Sequence, residues 1–265
     1  MRILMTAVAL ASFLPVMAQM RDNTERNLKC SEGNNEGRRP RHCEMREQTV
    51  AYSGQLNIDG RTNGGVSVKG WSRADVLVRA KVDASAESEG EARSLASQVR
   101  VDASAGRISA SGPDRVEGRG WSVSYEVFVP HSANLQLTAH NGGVHVADVG
   151  GQIEFTAVNG GVHLARLSGH VQGRTQNGGL HIELTGSRWD GEGMDVTTTN
   201  GGVHVQIPAS YSAHLETSTV NGGVSTQYPM TVSGKIGRQL SANLGSGGAT
   251  IRLTTTNGGI KIAQI

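Results

Sequence analysis

The chain has 265 residues, a formal net charge of +2 and only 4% aromatic residues. A balance so close to neutral excludes a polyanion-binding tail, and the scarcity of aromatics argues against the stacking platforms on which nucleic-acid binders hold bases. Glycine, at 36 residues without a G-X-Y period, points instead to a chain of many turns.

Met1-Arg2 precedes an apolar run from Ile3 to Met17, followed by Ala18, with a small residue where a signal peptidase cuts. Residues 1–18 are therefore expected to be a secretory signal peptide, the alternative being an uncleaved anchor. At about 15 residues the run is short of the roughly 20 that a membrane helix needs, and Pro15 interrupts it. No membrane span is expected after cleavage, and the mature protein is expected in the periplasm, secreted or at the cell surface. Residues 19–48 read as a polar linker. Its seven Lys/Arg are offset by six Asp/Glu, and it holds both cysteines of the chain, Cys30 and Cys43. In an oxidising compartment these two are natural disulfide partners.

Residues 49–130 read as one repeat-like rung followed by a capping segment. The rung is GQLNIDGRTNGGVSVKGW; after it come a strand ADVLVRAKVDA, a short helix from about Glu89 to Val99, and strands VRVDAS, GRISAS and WSVSYEVFVP. Ser88 is the expected N-cap, with Glu89 and Glu91 in the first turn and Leu95 and Val99 on one face.

From residue 131 to 265 a repeat dominates. Asn-Gly-Gly occurs at Asn63, Asn141, Asn159, Asn177, Asn200, Asn221 and Asn257, with spacings of 18, 18, 23, 21 and 36 from Asn141 onward. The longer intervals read as insertions, SRWDGEG being the clearest, and 36 as two periods of 18. Apolar or small residues alternate before each turn (Ile153, Phe155, Ala157) and after it (Val162, Leu164), the pattern of half-buried strands. One such unit cannot bury its apolar side alone, whereas stacked units bury it against their neighbours. The expected fold is all-β: a parallel β-solenoid (β-helix) of about 18-residue rungs with an N-terminal strand/helix cap. Asn-Gly is also the strongest hairpin signal, so an antiparallel β-meander of NGG hairpins is the alternative.

The order of that first rung, a charged helix-containing insertion, then SVSYEVFVP leading into NGGVxV repeats resembles a bacterial family of exported proteins labelled "putative adhesins", over roughly residues 50 to 265. The resemblance implies a β-solenoid, supplies no catalytic residues to carry over, and links some relatives to envelope-stress signalling.

Four histidines, His145, His163, His181 and His204, each follow a repeat Asn by four positions. In stacked rungs they would form an outward column at about 4.8 Å spacing. Neutral imidazoles suit zinc, copper or nickel, so one reading is weak binding of a divalent metal. A straight ladder supplies a tetrahedral zinc site poorly, and the plain structural reading is a polar outward position copied with the repeat. Protonation of such a column would be self-repulsive, lowering its pKa values and making a pH-dependent surface a third reading. The asparagines are expected to stack as an amide ladder at the turns, with glycine supplying positive φ.

Glu154, Asp195 and Glu216 share one outward column, and Asp195 and Glu216 are expected on adjacent rungs. An open strand face does little to raise the pKa of an acid, so this is a weak glycosidase pair. No HExxH, GxSxG or phosphate-loop motif is present in a suitable context. Trp71 and Trp121 read as packing residues; Trp189, in the SRWDGEG insertion, is the candidate ligand contact. The function expected is that of a non-enzymatic, envelope-associated structural or adhesin-like binding module. It needs no cofactor beyond a weakly held metal, and its partner is a cell-envelope or surface component, a glycan or a protein. A polysaccharide-active enzyme and an envelope-stress signalling component are the alternatives.

Overall fold

A computed structural model describes residues 20–30, 39–104, 106–230 and 237–265; the expected signal peptide, residues 1–18, lies outside them. In chain order the elements are β1 (Arg41–Ala51), β2 (Leu56–Asp59), β3 (Val66–Trp71), β4 (Asp75–Ser85), α1 (Glu89–Gln98), β5 (Arg100–Ser104), β6 (Arg107–Ser111) and β7 (Gly120–Pro130). The repeats follow as β8 (Leu135–Ala139), β9 (Val144–Ala147), β10 (Gly150–Asn159), β11 (Val162–Ala165), β12 (Ser168–Asn177), β13 (Leu180–Glu183), β14 (Gly193–Asn200) and β15 (Val203–Ile207). The chain closes with β16 (Ala213–Asn221), β17 (Val224–Thr226), β18 (Gln239–Leu244), β19 (Thr250–Asn257) and β20 (Ile260–Gln264).

These strands form two ten-stranded sheets. Sheet A runs β1-β4-β7-β3-β9-β11-β13-β15-β20-β17, and sheet B runs β18-β16-β19-β14-β12-β10-β8-β2-β6-β5. The strand before each Asn-Gly-Gly lies in sheet B and the strand after it in sheet A, so the motif is a corner between sheets and not a hairpin turn. Parallel register follows: Val162 pairs with Val144 and Leu180, and Ile153 with Leu135 and Val171. The inward residues of both sheets, Phe155, Leu164, Val196 and Val205 among them, make one continuous core.

The glycines of the corner have a different purpose from the one expected. No Asn-Gly-Gly glycine among the described residues has positive φ; those angles occur at the other bend, in Gly151, Gly169, Asp148 and Arg166. What the first glycine of each motif provides is close approach between rungs. A Cβ on Gly160 would strike the carbonyl oxygen of Gly142, and one on Gly178 that of Gly160. The same carbonyls accept from buried threonines one rung on: Thr175 donates to Gly160 at 3.1 Å and Thr198 to Gly178 at 2.7 Å. Inside the core, Gly173 lies opposite Phe155, whose ring occupies the space where a Cβ on Gly173 would stand.

The order of the last rungs departs from the order of the sequence. The 36-residue interval between Asn221 and Asn257 was expected to hold an extra rung. Instead the chain turns back as β18, antiparallel to β16, and then inserts β19 and β20 between β14/β15 and β16/β17. The inserted rung buries Ile251, Leu253, Ile260 and Ile262 on both sides, which an end position would have left uncovered.

At the other end, α1 begins with a capping box in which Ser88 and Glu91 exchange side-chain-to-backbone hydrogen bonds. It packs Ala92, Leu95 and Ala96 inward beside β1 and β4. The reading of residues 19–48 as a linker requires correction. Residues 41–51 form edge strand β1, antiparallel to β4, and its charged composition suits an exposed sheet edge. Residues 20–30 form a strap along the outer face of sheet A, tied to β1 by the Cys30–Cys43 disulfide.

Candidate functional site

The outer face of sheet A carries one polar row from edge to edge. In register order it reads Glu47, Arg79, Glu126, Ser67, His145, His163, His181, His204, Lys261 and Ser225. Each histidine stands between two inward aliphatic residues, so the strand alternation that buries Val162 and Leu164 fixes His163 outward. Ring centroids are 4.7, 4.8 and 4.9 Å apart in successive pairs, with the rings edge to face.

All four rings are half-buried. His145 and His163 share a hydrogen bond between their Nδ1 atoms, 3.0 Å apart. Nε2 of His181 faces Oε1 of Gln206 at 3.2 Å, and the buried Nε2 of His204 has no partner among the described residues. Burial, with charge on His163 adding to it, pushes His145 down to about 4. His163 and His204 are lowered first by burial and then by His181. His145, His163 and His204 are thus neutral, hydrogen-bonding groups at pH 7. Beside it lies an open depression of about 580 Å³, lined by the glycine-rich corners, Leu180, Val203, three of the histidines and Lys261.

As a metal strip the geometry is meagre. Among the described residues no group of three or more His, Cys, Asp or Glu side chains is placed to hold a metal. The column offers at most neighbouring pairs of ring nitrogens, short of the three or four ligands of a firm zinc site.

Where the histidines stop, an ionic network covered by the strap begins. Glu126, 2% exposed, accepts from Lys69 Nζ at 2.6 Å, from Arg79, and from the backbone N–H groups of Asn27 and Leu28. Burial alone would raise its pKa; these donors hold it below the usual carboxylate range. Asp148, fully buried, accepts from Nε and Nη2 of Arg166 at 2.8 and 2.7 Å, from Arg21 N–H and from Asn23 Nδ2. Burial works against its charge too, and the same donors overcome it. Sequence reasoning missed this network. Its signal was present: Asp148 and Arg166 each follow a repeat Asn by seven positions, with opposite charges on successive rungs.

The asparagines do form a ladder. Asn159 donates to Asn141, Asn177 to Asn159, Asn200 to Asn177, Asn257 to Asn200 and Asn221 to Asn257, all at 2.7 or 2.8 Å. Two other placements need correction. Trp189 does not face a ligand: it is 5% exposed, and its Nε1 donates to the Gly169 carbonyl, so its apolar area fills the core at the insertion. Asp195 and Glu216 are not on adjacent rungs. Arg252, on the inserted rung, stands between them and bridges both, at 3.0 and 2.8 Å.

The fold and these surfaces define a class, a two-sheeted parallel β-solenoid with a strapped and capped N-terminal end. The family can then be stated: a model described as Toastrack DUF4097 matches residues 49–263, and the chain belongs to that family. No curated protein matches the chain in sequence. A solved structure titled "putative cell adhesion protein" from Clostridium sporogenes ATCC 15579 is 13% identical, with 84% of this chain and 100% of that one covered and a TM-score of 0.47. A "putative adhesin" from Bacteroides fragilis NCTC 9343 is 12% identical, with 84% and 97% covered and a TM-score of 0.33. Another, from Parabacteroides distasonis ATCC 8503, is 8% identical over the same shares, with a TM-score of 0.37.

Proposed function

We propose that this protein is an exported, non-enzymatic, adhesin-like binding module of the cell envelope, with the histidine face of sheet A as its contact surface. The observation that carries this reading is the register row in which His145, His163, His181 and His204 stand on four consecutive strands beside an open, largely apolar depression. Such a face is preorganised by the solenoid core, so binding costs little side-chain ordering. Neutral imidazoles offer both donors and acceptors to a glycan or a protein surface, and a neighbouring pair could hold a divalent ion weakly. The disulfide supports export to an oxidising compartment. The rival enzymatic reading loses its best acid pair, because Arg252 stands between Asp195 and Glu216 and pairs with both.

The test is a glycan array and a calorimetric screen with zinc and copper on the disulfide-bonded protein, repeated with His163→Ala plus His181→Ala. Binding of a glycan or an ion that the double variant loses is expected. Identical titrations for the two proteins would sink the histidine face as the contact surface, and hydrolysis products from any glycan would overturn the non-enzymatic reading.

A further inference from the structure

A second surface lies at the capped end, away from the histidines. Two adjoining depressions of about 290 and 250 Å³ share Asn63, Arg115, Trp121 and Ser122. Arg39, Arg41 and Arg119 line the first and Arg61 the second, so five guanidinium groups surround one groove. All five arginines are exposed. Among the described residues the linings contain two carboxylates, Asp83 and Asp114, and Asp83 is already engaged by Lys81 at 3.1 Å. Of the five arginines, only Arg41 has an ion pair among the described residues, with Asp83 at 4.0 Å. In a chain of net charge +2 this is a local concentration of positive charge.

The groove is built and not merely charged. Trp121 is half-buried; its Nε1 donates to the Pro113 carbonyl at 2.8 Å, and its own carbonyl accepts from Arg115 Nη2 at 2.9 Å. A Cβ on Gly112 would meet its ring at 2.9 Å, so glycine there lets the indole lie close to the loop backbone.

We propose that this groove binds the tetrahedral oxyanion groups of a phosphate- or sulfate-bearing glycan. Guanidinium groups pair with such oxyanions through two parallel hydrogen bonds, and the indole edge gives a sugar ring an apolar wall. A polymer fits better than a lone ion, because the arginines are spread along two connected depressions.

The experiment measures binding of the disulfide-bonded protein to heparin and to phosphomannan, with dextran as the uncharged control and phosphatidylglycerol vesicles as the lipid alternative. Expected are binding to both charged polymers that weakens as salt rises, none to dextran, and a loss of roughly ten-fold in Arg39→Gln plus Arg119→Gln. One control pair should leave affinity unchanged: Arg100→Gln plus Arg107→Gln on sheet B. Absence of binding at low salt, an equal loss in the sheet B pair, or tighter binding to the vesicles than to either polymer would each overturn the proposal. Because the arginine substitutions leave the histidine face untouched, failure here and failure of the histidine face read out independently.

Discussion

Nδ1 of His163 lies 3.0 Å from Nδ1 of His145, so one ring donates while the other accepts, and a pair in which both rings are protonated cannot share the bond. Burial, with charge on His163 adding to it, pushes His145 down to about 4, and protonating both rings would set two donors face to face in a half-buried site.

Stability should therefore depend on pH above the carboxylate range. An unfolded histidine titrates near 6.5, so between that pH and about 4 the unfolded chain binds a proton that folded His145 refuses. The folded state loses stability as pH falls through this window, by on the order of 2 kcal/mol from His145. Urea unfolding at pH 7 and pH 5 should show the loss, and His145→Gln should reduce it. A profile flat down to pH 5 in the unsubstituted protein would contradict the lowered pKa of His145.

Arg252 holds Glu216 below the ordinary carboxylate range, chiefly by its direct hydrogen bond. Removing it with Arg252→Ala should move Glu216 upward, since two acids would then face each other across an uncharged rung. Carboxyl titration by NMR follows the shift directly. An unmoved Glu216 would mean that the inserted rung does not lie between these acids.

Core complementarity should appear at Gly173. Gly173→Ala forces its new methyl against the Phe155 ring and should cost about 1–3 kcal/mol in urea unfolding. Adding Phe155→Leu should recover part of that loss, although Phe155→Leu alone is destabilising. Additive losses in the double variant would argue against the contact.

The strap should depend on its disulfide. Reducing Cys30–Cys43 is expected to lower stability by about 2–3 kcal/mol. More specifically, it should speed hydrogen exchange at the Asn27 and Leu28 amides that bind Glu126, and open Arg26 to trypsin. The strands from β8 onward should keep their protection. Uniform loss of protection along the solenoid would show the strap to be part of the core and not an attachment to it.

Much of the solenoid was legible because its physics is local. Alternation at Ile153, Phe155 and Ala157 sets which side chains point inward, and equal spacing brings equal residues into register, as with His145, His163 and His181. The candidate surface was half legible for the same reason. The column could be predicted, but its extension through Glu126, Arg79 and Glu47 could not, since Glu126 comes on β7, outside the repeat, and Arg79 and Glu47 on strands that pair antiparallel beyond it.

The sequence by itself determined the period, the inward and outward positions, the α1 cap and the corner asparagines, because each follows from neighbours within one or two rungs. Only the tertiary structure decided four things: that the last rung inserts before the one preceding it, that residues 20–30 strap sheet A, that Trp189 faces inward, and that the corner glycines exist for rung-to-rung approach. The reason is distance along the chain. Arg252 is 57 residues from Asp195, and Asn27 is 99 from Glu126, so their pairing depends on which surfaces remain to be covered once the coil has formed.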